Sequence, residues 1–362
     1  MIINRYLIRQ IGKPLMTILG ILAVLFGSFS AAGFLSDAVN GLLPTDMIVE
    51  LIGLKVLISL EVLIPISLYL AVVLAFGKLY SDSEFTAMYA LRVSPARVMG
   101  AVLTLAAGMA IVVAGLSLAA RPWAYRKMHE ISRRAEAQLN VGDMGAGTFY
   151  VGDNGNRVIF LSHREGPNAP ARDVFVQLKH RNSIQVIYAQ VAYELQDSTL
   201  AGGYAVYLRN ANVYDIGRRK NQPDHMIKVQ GIIVNPNSRS DTSPEYSSVA
   251  ADSAYLAGSG LPSDIAEFQW RLSTALSTLL LAMLGVPLSR AQPRQSKYAK
   301  IGAAILIYSG YYLLCTSART WVQNGVIASF PGIWWVPALL GLIVIIALYA
   351  PDRAFKYRPK HP

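Results

Sequence analysis

The stretch Pro14–Leu35, PLMTILGILAVLFGSFSAAGFL, runs for 22 residues without a charge. At about 1.5 Å per helical residue it exceeds a hydrocarbon core of roughly 30 Å, so it reads as a membrane span. It is too long for the apolar region of a removable signal peptide and has no clear small-residue cleavage site, so it is expected to stay attached. Similar runs follow at about Ile52–Phe76, with Lys55 and Glu61 in its first half, and at about Val98–Ala120. After a long stretch of different character they return at about Thr274–Leu288, Ile301–Ser317 and Ile333–Ala350. The expectation is three spans, a large polar insert and three more spans.

The whole chain has the composition such spans demand. It has 362 residues, 53% hydrophobic and 15% charged, where soluble domains average about 25% charged. Mean hydropathy is +0.36. This disfavours a disordered chain. The net charge of +11 invites a nucleic-acid reading, but so apolar a chain weakens it. Cys315 is the single cysteine, so no intrachain disulfide can staple the insert.

The charges are asymmetric about the spans. Arg5, Arg9 and Lys13 precede the first span, and the loop Ser36–Asp46 has no Lys or Arg. Lys78, Arg92 and Arg97 follow the second span; Arg290, Arg294, Lys297 and Lys300 follow the fourth; Arg353, Lys356, Arg358 and Lys360 form the tail. The positive-inside rule puts both termini in the cytoplasm and the insert outside it.

The insert reads as all-β. Thr148–Val151 and Arg157–Leu161 flank the turn-forming Gly152–Asn156, a hairpin signal. Val174, Val176 and Leu178 alternate with Phe175, Gln177 and Lys179, and Ile187, Ala189, Val191, Tyr193 and Leu195 continue at period two. Tyr204–Leu208, Met226–Val234 and Tyr246–Val249 are further strand-like runs. Turn residues separate them at Asp197-Ser198, Gly202-Gly203, Asn221–Pro223 and Asn235–Asn237. Short strands at this spacing suggest a sandwich or open barrel. Trp123–Leu139 is expected to continue span three as a helix. The bland reading of the apolar strand faces is an ordinary core; the sharper one is a lining that touches lipid.

Catalytic signatures are missing from the sequence. No Gly-x4-Gly-Lys-Ser/Thr occurs, since Gly12-Lys13 and Gly77-Lys78 are followed by Pro14 and Leu79. The five histidines are dispersed and show no ligand spacing. A Gly-x-Ser-x-Gly elbow is also missing. The chain is expected to be no enzyme, with no catalytic residue, metal or cofactor of its own.

The segment after span two, Gly77-Lys-Leu-Tyr-Ser81-Asp-Ser-Glu84-Phe85 onward to Pro95, is the most informative for function. Ser81 followed by Glu84 reads as a capping box that starts a helix near Asp82, and Ser94-Pro95 stops it or starts the next element. Phe85, Met88 and Arg92 share one face, with Tyr89 adjacent. Such a helix along the cytoplasmic surface can dock in the groove of a motor protein. The plainer reading of Glu84 is that it only caps the helix.

The run from Ile64 to Glu84, IPISLYLAVVLAFGKLYSDSE, resembles the LptF/LptG (YjgP/YjgQ) permeases of lipopolysaccharide export. The resemblance spans the chain: six spans, a β insert after the third, and Val286–Arg290 with Pro293-Arg294-Gln295 after the fourth. Gly77–Tyr80, Pro293–Gln295 and the opening Met1–Leu7 look more like the LptF branch than the LptG branch. It implies an α-helical membrane bundle of six transmembrane helices with an inserted periplasmic jellyroll-like β domain. Residues 1–120 would hold spans one to three with a coupling helix at about 81–93. Residues 121–262 would form the β domain, and 263–362 the last three spans and a short tail.

The function the resemblance implies is that of a non-catalytic permease subunit of an ATP-binding-cassette exporter in the bacterial inner membrane. Its partners would be an LptG-like paralogue, a dimer of an LptB-like ATPase carrying ATP and Mg, an LptC-like subunit, an LptA-like bridge and lipopolysaccharide itself, with no nucleic acid. Glu84 matches the family's acidic coupling-helix residue, and Phe85, Met88, Tyr89 and Arg92 would join it against the ATPase. Phe26, Phe29, Ile307 and Tyr311 are candidates for the wall of a lipid cavity, against the plainer reading of helix packing. Arg271 and Arg319, near the outer ends of spans four and five, are candidates for phosphate contacts; the plainer reading is snorkelling. Lys55 and Glu61 have no assigned role. The alternative function is a membrane scaffold that docks a periplasmic partner without transport. An ion-driven transporter is disfavoured because spans one, five and six lack ionisable groups in their middles.

Overall fold

The apolar runs all fold as helices in the computed structural model, which describes residues 2–39, 43–138, 146–147, 149–152, 157–166, 169–179, 183–196, 204–217, 225–234, 246–290 and 300–349. The chain divides into two units: Met1–Ser28, Leu54–Arg126 and Ser247–Pro362 form one, Phe29–Gly53 and Lys127–Tyr246 the other. The expected loop Pro293-Arg294-Gln295, the basic tail and most of the expected β turns lie outside the described residues.

The helices in chain order are α1 (Ile2–Val39), α2 (Ile48–Ser81), α3 (Glu84–Ala90), α4 (Pro95–Gly115) and α5 (Arg121–Gln138), then α6 (Ser253–Gly258), α7 (Pro262–Leu288), α8 (Ile301–Gln323) and α9 (Trp335–Tyr349). Five helical segments are long and apolar enough to cross a membrane: α1, α2, the continuous α4–α5, α7 and α8. The sixth expected span is α9, with 15 residues, or about 22 Å of rise. Leu7, Ile11 and Leu15 recur at helical spacing on α1 and are buried with Leu68, Val72 and Phe76 of α2 and Val98 and Val102 of α4. Gly285 lets α7 approach α2, because a Cβ there would meet Val72 Cγ1 at 3.0 Å and the Tyr69 carbonyl at 3.3 Å.

Span three does continue as a helix. A π-helical turn, Leu116–Ala120, joins α4 to α5. Pro122 lies just beyond it and has no N–H to offer the Leu118 carbonyl; Ser253 Oγ donates to that carbonyl instead, at 2.7 Å.

The second unit holds one antiparallel sheet: β1 (Phe149–Gly152), β2 (Arg157–His163), β3 (Ala171–Lys179), β4 (Ser183–Gln196), β5 (Tyr204–Gly217) and β6 (His225–Val234), paired in sequence order. The all-β insert is therefore present, but among the described residues it is a six-stranded meander without the crossovers of a jellyroll. The expected strand Tyr246–Val249 is instead an irregular turn. Its Ser248 and Val249 carbonyls accept from Arg271 rather than from a neighbouring strand.

The expected period-two alternation along β4 breaks in the middle. Ile187, Ala189 and Ala192 are buried, while Val191 is only half-buried and Tyr193 is exposed. The same shift occurs in β3 between Ala171 and Val174, and in β5 between Leu208 and Ala211. The register shows why. Ser162, Asp173, Gln190, Asn210 and Gln230 form one line across β2–β6 at which strand pairing is interrupted. Asp173 (φ 51°) and Asn210 (φ 52°) are left-handed there, which turns the following side chains to the other face. Asn210 Nδ2 donates to Gln190 Oε1 at 2.9 Å, closing the seam on the exposed side.

A β-branched residue cannot hold that backbone cheaply. Asn210→Val is expected to lower the melting temperature of the β unit by an amount corresponding to about 1–2 kcal/mol, whereas Asn210→Gly keeps it. Equal melting of the valine and glycine variants would remove the left-handed seam from the explanation.

Candidate functional site

Helix α3 has only seven residues, set between two long helices by left-handed residues at each end, Ser83 and Arg92, both with φ 59°. The expected capping box does not form. Ser81 is the last residue of α2, and Ser83, which precedes α3, makes no side-chain cap. Glu84 Oε2 instead accepts a 2.5 Å hydrogen bond from the Tyr6 hydroxyl of α1, which in turn accepts from Gln10.

The other end of α3 is a Schellman turn. The Arg92 N–H donates to the Tyr89 carbonyl at 3.0 Å, and the Val93 N–H to the Met88 carbonyl at 3.1 Å. Val93 and Met88 pack into the same core. Ser94 then caps α4 by accepting from the Arg97 N–H at 3.4 Å, with Pro95 in the first turn.

This geometry sorts the five expected docking residues. Phe85 is fully buried against Phe76 (5.1 Å, edge-on), Tyr80 (4.5 Å) and Tyr89 (5.8 Å, stacked). It anchors α3 to α2 and is not a surface contact, and Met88 is half-buried beside it. Tyr89 and Arg92 are exposed. So is Leu91, at 80%, which the sequence reading did not single out; its place beside a helix stop was the available signal.

The second constellation was not foreseen. Glu61 of α2 and Glu267 of α7 are buried among three arginines. Glu61 accepts from Arg121 Nη1 (3.0 Å to Oε2), Ser117 Oγ (2.9 Å) and Trp270 Nε1 (3.1 Å). Glu267 pairs with Arg121 at 3.3 Å, Arg271 at 3.0 Å and Arg319 at 2.6 Å. Arg319 also lies over the Trp270 ring, 5.1 Å from its centroid. Two carboxylates against three guanidiniums leave one net positive charge.

Arg271, an expected phosphate contact, is spent inside this cluster. Its Nε bonds Glu267, its Nη1 the Ala251 carbonyl and Ser253 Oγ, and its Nη2 the Ser248 and Val249 carbonyls. No donor is left for a ligand. Arg319 keeps 20% of its side chain exposed. Of the expected cavity residues, Phe26 is half-buried and Phe29 is 79% exposed on α1. Ile307 is exposed on α8, whereas Tyr311 is hydrogen-bonded to Ser277 of α7. Lys55 is half-buried on α2.

Residues 5–350 match the family model described as lipopolysaccharide export system permease LptF/LptG. The chain is similar to the lipopolysaccharide export system permease protein LptF of Escherichia coli K12, Escherichia coli O157:H7 and Shigella flexneri. Each is 28% identical over 361 residues, covering 96% of this chain and 94% of the relative.

Removing one partner of a buried ion pair strands the other. Glu61→Ala is expected to destabilise the purified chain by about 3–5 kcal/mol, because Arg121 and Trp270 lose their acceptor together. Glu61→Gln should lose less, since its amide oxygen still accepts. Thermal melting in detergent checks both, and wild-type melting of Glu61→Ala would mean that the cluster contributes nothing to stability.

Proposed function

The chain belongs to the LptF/LptG family of lipopolysaccharide export system permeases, and from that premise we propose that α3 is the lever by which a separate ATPase works it. The protein is a permease subunit of the lipopolysaccharide export system and is not itself catalytic. In the proposed arrangement it lies in the inner membrane with both termini and the α2–α4 elbow in the cytoplasm and the β unit in the periplasm. ATP and Mg bind the separate ATPase, an LptB-like dimer. An LptG-like paralogue completes the membrane half, and LptC-like and LptA-like components receive the lipid.

One observation carries this reading. Glu84 is held at the start of α3 by Tyr6, not by a cap, while Tyr89, Leu91 and Arg92 face outward. The exposed side can meet a partner's groove with an apolar anchor and charges at both ends. The buried side, Phe85 on Phe76 and Tyr80, passes any displacement directly into α2. A scaffold that only docks a periplasmic partner has no use for such an element.

The lipid contacts follow the same logic. Phe26, Phe29 and Ile307 remain proposed wall residues because they keep apolar surface uncovered, while Tyr311 is accounted for by Ser277. Of the two arginines, Arg319 alone retains surface for an anionic headgroup. An ion-coupled transporter fits less well, since Glu61 and Glu267 are paired with arginine and the third buried carboxylate, Asp264, accepts from the Ser259 and Ser263 hydroxyls at the start of α7.

Glu84→Ala is expected to weaken co-purification of the ATPase, or to uncouple hydrolysis from export, by the loss of a charged interface contact of about 2–5 kcal/mol. Tyr6→Phe removes only the internal bond and should retain ATPase capture. Arg92→Gly suits a left-handed turn, so it should preserve melting while reducing lipid-stimulated hydrolysis. Full assembly and export by Glu84→Ala and Arg92→Gly alike would overturn the lever.

A further inference from the structure

One face of the sheet is given over to the apolar core of Leu161, Val174, Ile187, Ala189, Leu208 and Val213. The opposite face carries a band of different chemistry. Paired residues on neighbouring strands point the same way, and the register aligns His163, Arg172, Val191, Arg209 and Gly231 in one line across β2–β6. The seam, with Asp173, Gln190 and Asn210 exposed, runs along one side of this line. Tyr193 and Tyr207 pair on its other side, with ring centroids 6.4 Å apart and planes inclined by 38°. Arg172 and Arg209 stand two strand spacings apart, about 10 Å, and three residues, again about 10 Å, separate the seam from the tyrosines. A disaccharide has these dimensions.

The polar groups of the band are uncommitted. Arg172 and Arg209 are exposed, and among the described residues neither forms an ion pair. Asp173, the band's one carboxylate, already accepts from the Tyr188 hydroxyl at 2.8 Å. The bond between Asn210 Nδ2 and Gln190 Oε1 leaves one amide nitrogen and one amide oxygen for a ligand. Gly231 belongs to the same surface, because a Cβ there would lie 2.2 Å from the Tyr207 hydroxyl and 2.6 Å from its Cζ. The phenol end of Tyr207 thus rests on the β6 backbone. Asp173 and Asn210 hold left-handed backbone in mid-strand, and strain of that kind concentrates at ligand sites.

We propose that this band binds the saccharide part of lipopolysaccharide where it bears an anionic group. Arg172 and Arg209 pair with the phosphate or carboxylate, Gln190 and Asn210 bond sugar hydroxyls, and Tyr193 and Tyr207 lie against a sugar ring. A surface for a protein partner has its apolar residues at the centre and its polar groups at the rim. Here the order is reversed, with arginines and amides in the middle and tyrosines at the margin. The inference rests on the chain's handling of lipopolysaccharide and on the β unit lying in the periplasm, not on the lever at α3.

The test uses the full chain with its co-purifying subunits in nanodiscs. The probe is fully deacylated lipopolysaccharide, a water-soluble phosphorylated oligosaccharide without acyl chains. Saturation-transfer NMR is expected to show transfer to sugar-ring protons, weakened by Tyr193→Leu. Arg172→Gln with Arg209→Gln should raise the calorimetric Kd about tenfold through loss of charge-assisted contacts. Asn210→Gly keeps the left-handed turn, removes only the amide, and should also raise it; this variant tests the site independently of how the arginine variants fold. Wild-type affinity in the variants overturns the proposal, as does failure of the wild type to bind the probe. Displacement of the probe by inorganic phosphate or dextran sulfate as readily as by unlabelled oligosaccharide also overturns it, reducing the band to a general anion surface. So does crosslinking of Val191→p-benzoylphenylalanine to a co-purifying subunit instead of the oligosaccharide, which would identify a protein cover. ATPase capture by the same wild-type preparation reads the lever separately, so failure of one is told from failure of the other.

Discussion

Two buried carboxylates hold the membrane unit together. Glu61 and Glu267 bring in Arg121, Arg271 and Arg319, and with them four helices: α2, the α4–α5 junction, α7 and α8. Helices in a bilayer gain little from burying apolar side chains, because lipid is equally apolar. Their relative positions therefore rest on polar contacts that have no alternative partner in hydrocarbon. Desolvating five charges is costly, and only a nearly complete set of internal partners offsets it. Arg271 shows how far that requirement reaches. It recruits the carbonyls of a turn at Ser248–Ala251 and so ties the segment leading into α6 and α7 to the cluster.

Much of the fold was legible because hydropathy acts locally. The spans, the helical continuation through Trp123 and the first strands follow from runs and periods a few residues long. Features set by distant residues were not. The seam from Ser162 to Gln230 needs five strands in register before its left-handed residues make sense, and Asp173 and Asn210 look like ordinary polar strand positions one at a time. Tyr246–Val249 has strand-like composition, yet its carbonyls are taken by an arginine more than twenty residues away.

The sites divide the same way. The elbow around Glu84 was visible as a break between spans, but its local chemistry was misread. Ser81 and Glu84 have capping-box spacing, whereas α2 runs on through Ser81 and the carboxylate turns to Tyr6 of another helix. Phe85 was placed correctly on the helix and assigned to the wrong side of it. The ion cluster had a signal in the sequence: Glu61 in one apolar run and Arg271 and Arg319 at the ends of two others. Charges of opposite sign in different spans tend to find each other, but apart from Arg271, four positions from Glu267, the partners stand 52 to 146 positions apart.

The cluster also coincides with the points where the helices are least regular. Pro65 interrupts α2 one turn after Glu61, and Tyr308 donates to the neighbouring Val62 carbonyl at 3.2 Å. On the other side the π-helical turn ends at Arg121, Pro122 releases the Leu118 carbonyl, and Ser253 takes it up. Prolines and π turns are where helices bend. At the π turn Ser253 supplies the missing hydrogen bond, whereas Pro65 leaves the Glu61 carbonyl without its helical donor and Tyr308 bonds the next carbonyl, that of Val62. Between Pro65 and Phe76, where α3 is fastened, α2 is unbroken helix. Glu61 of the ion cluster and Phe76, on which Phe85 packs, thus stand on one continuous helix, about four turns apart.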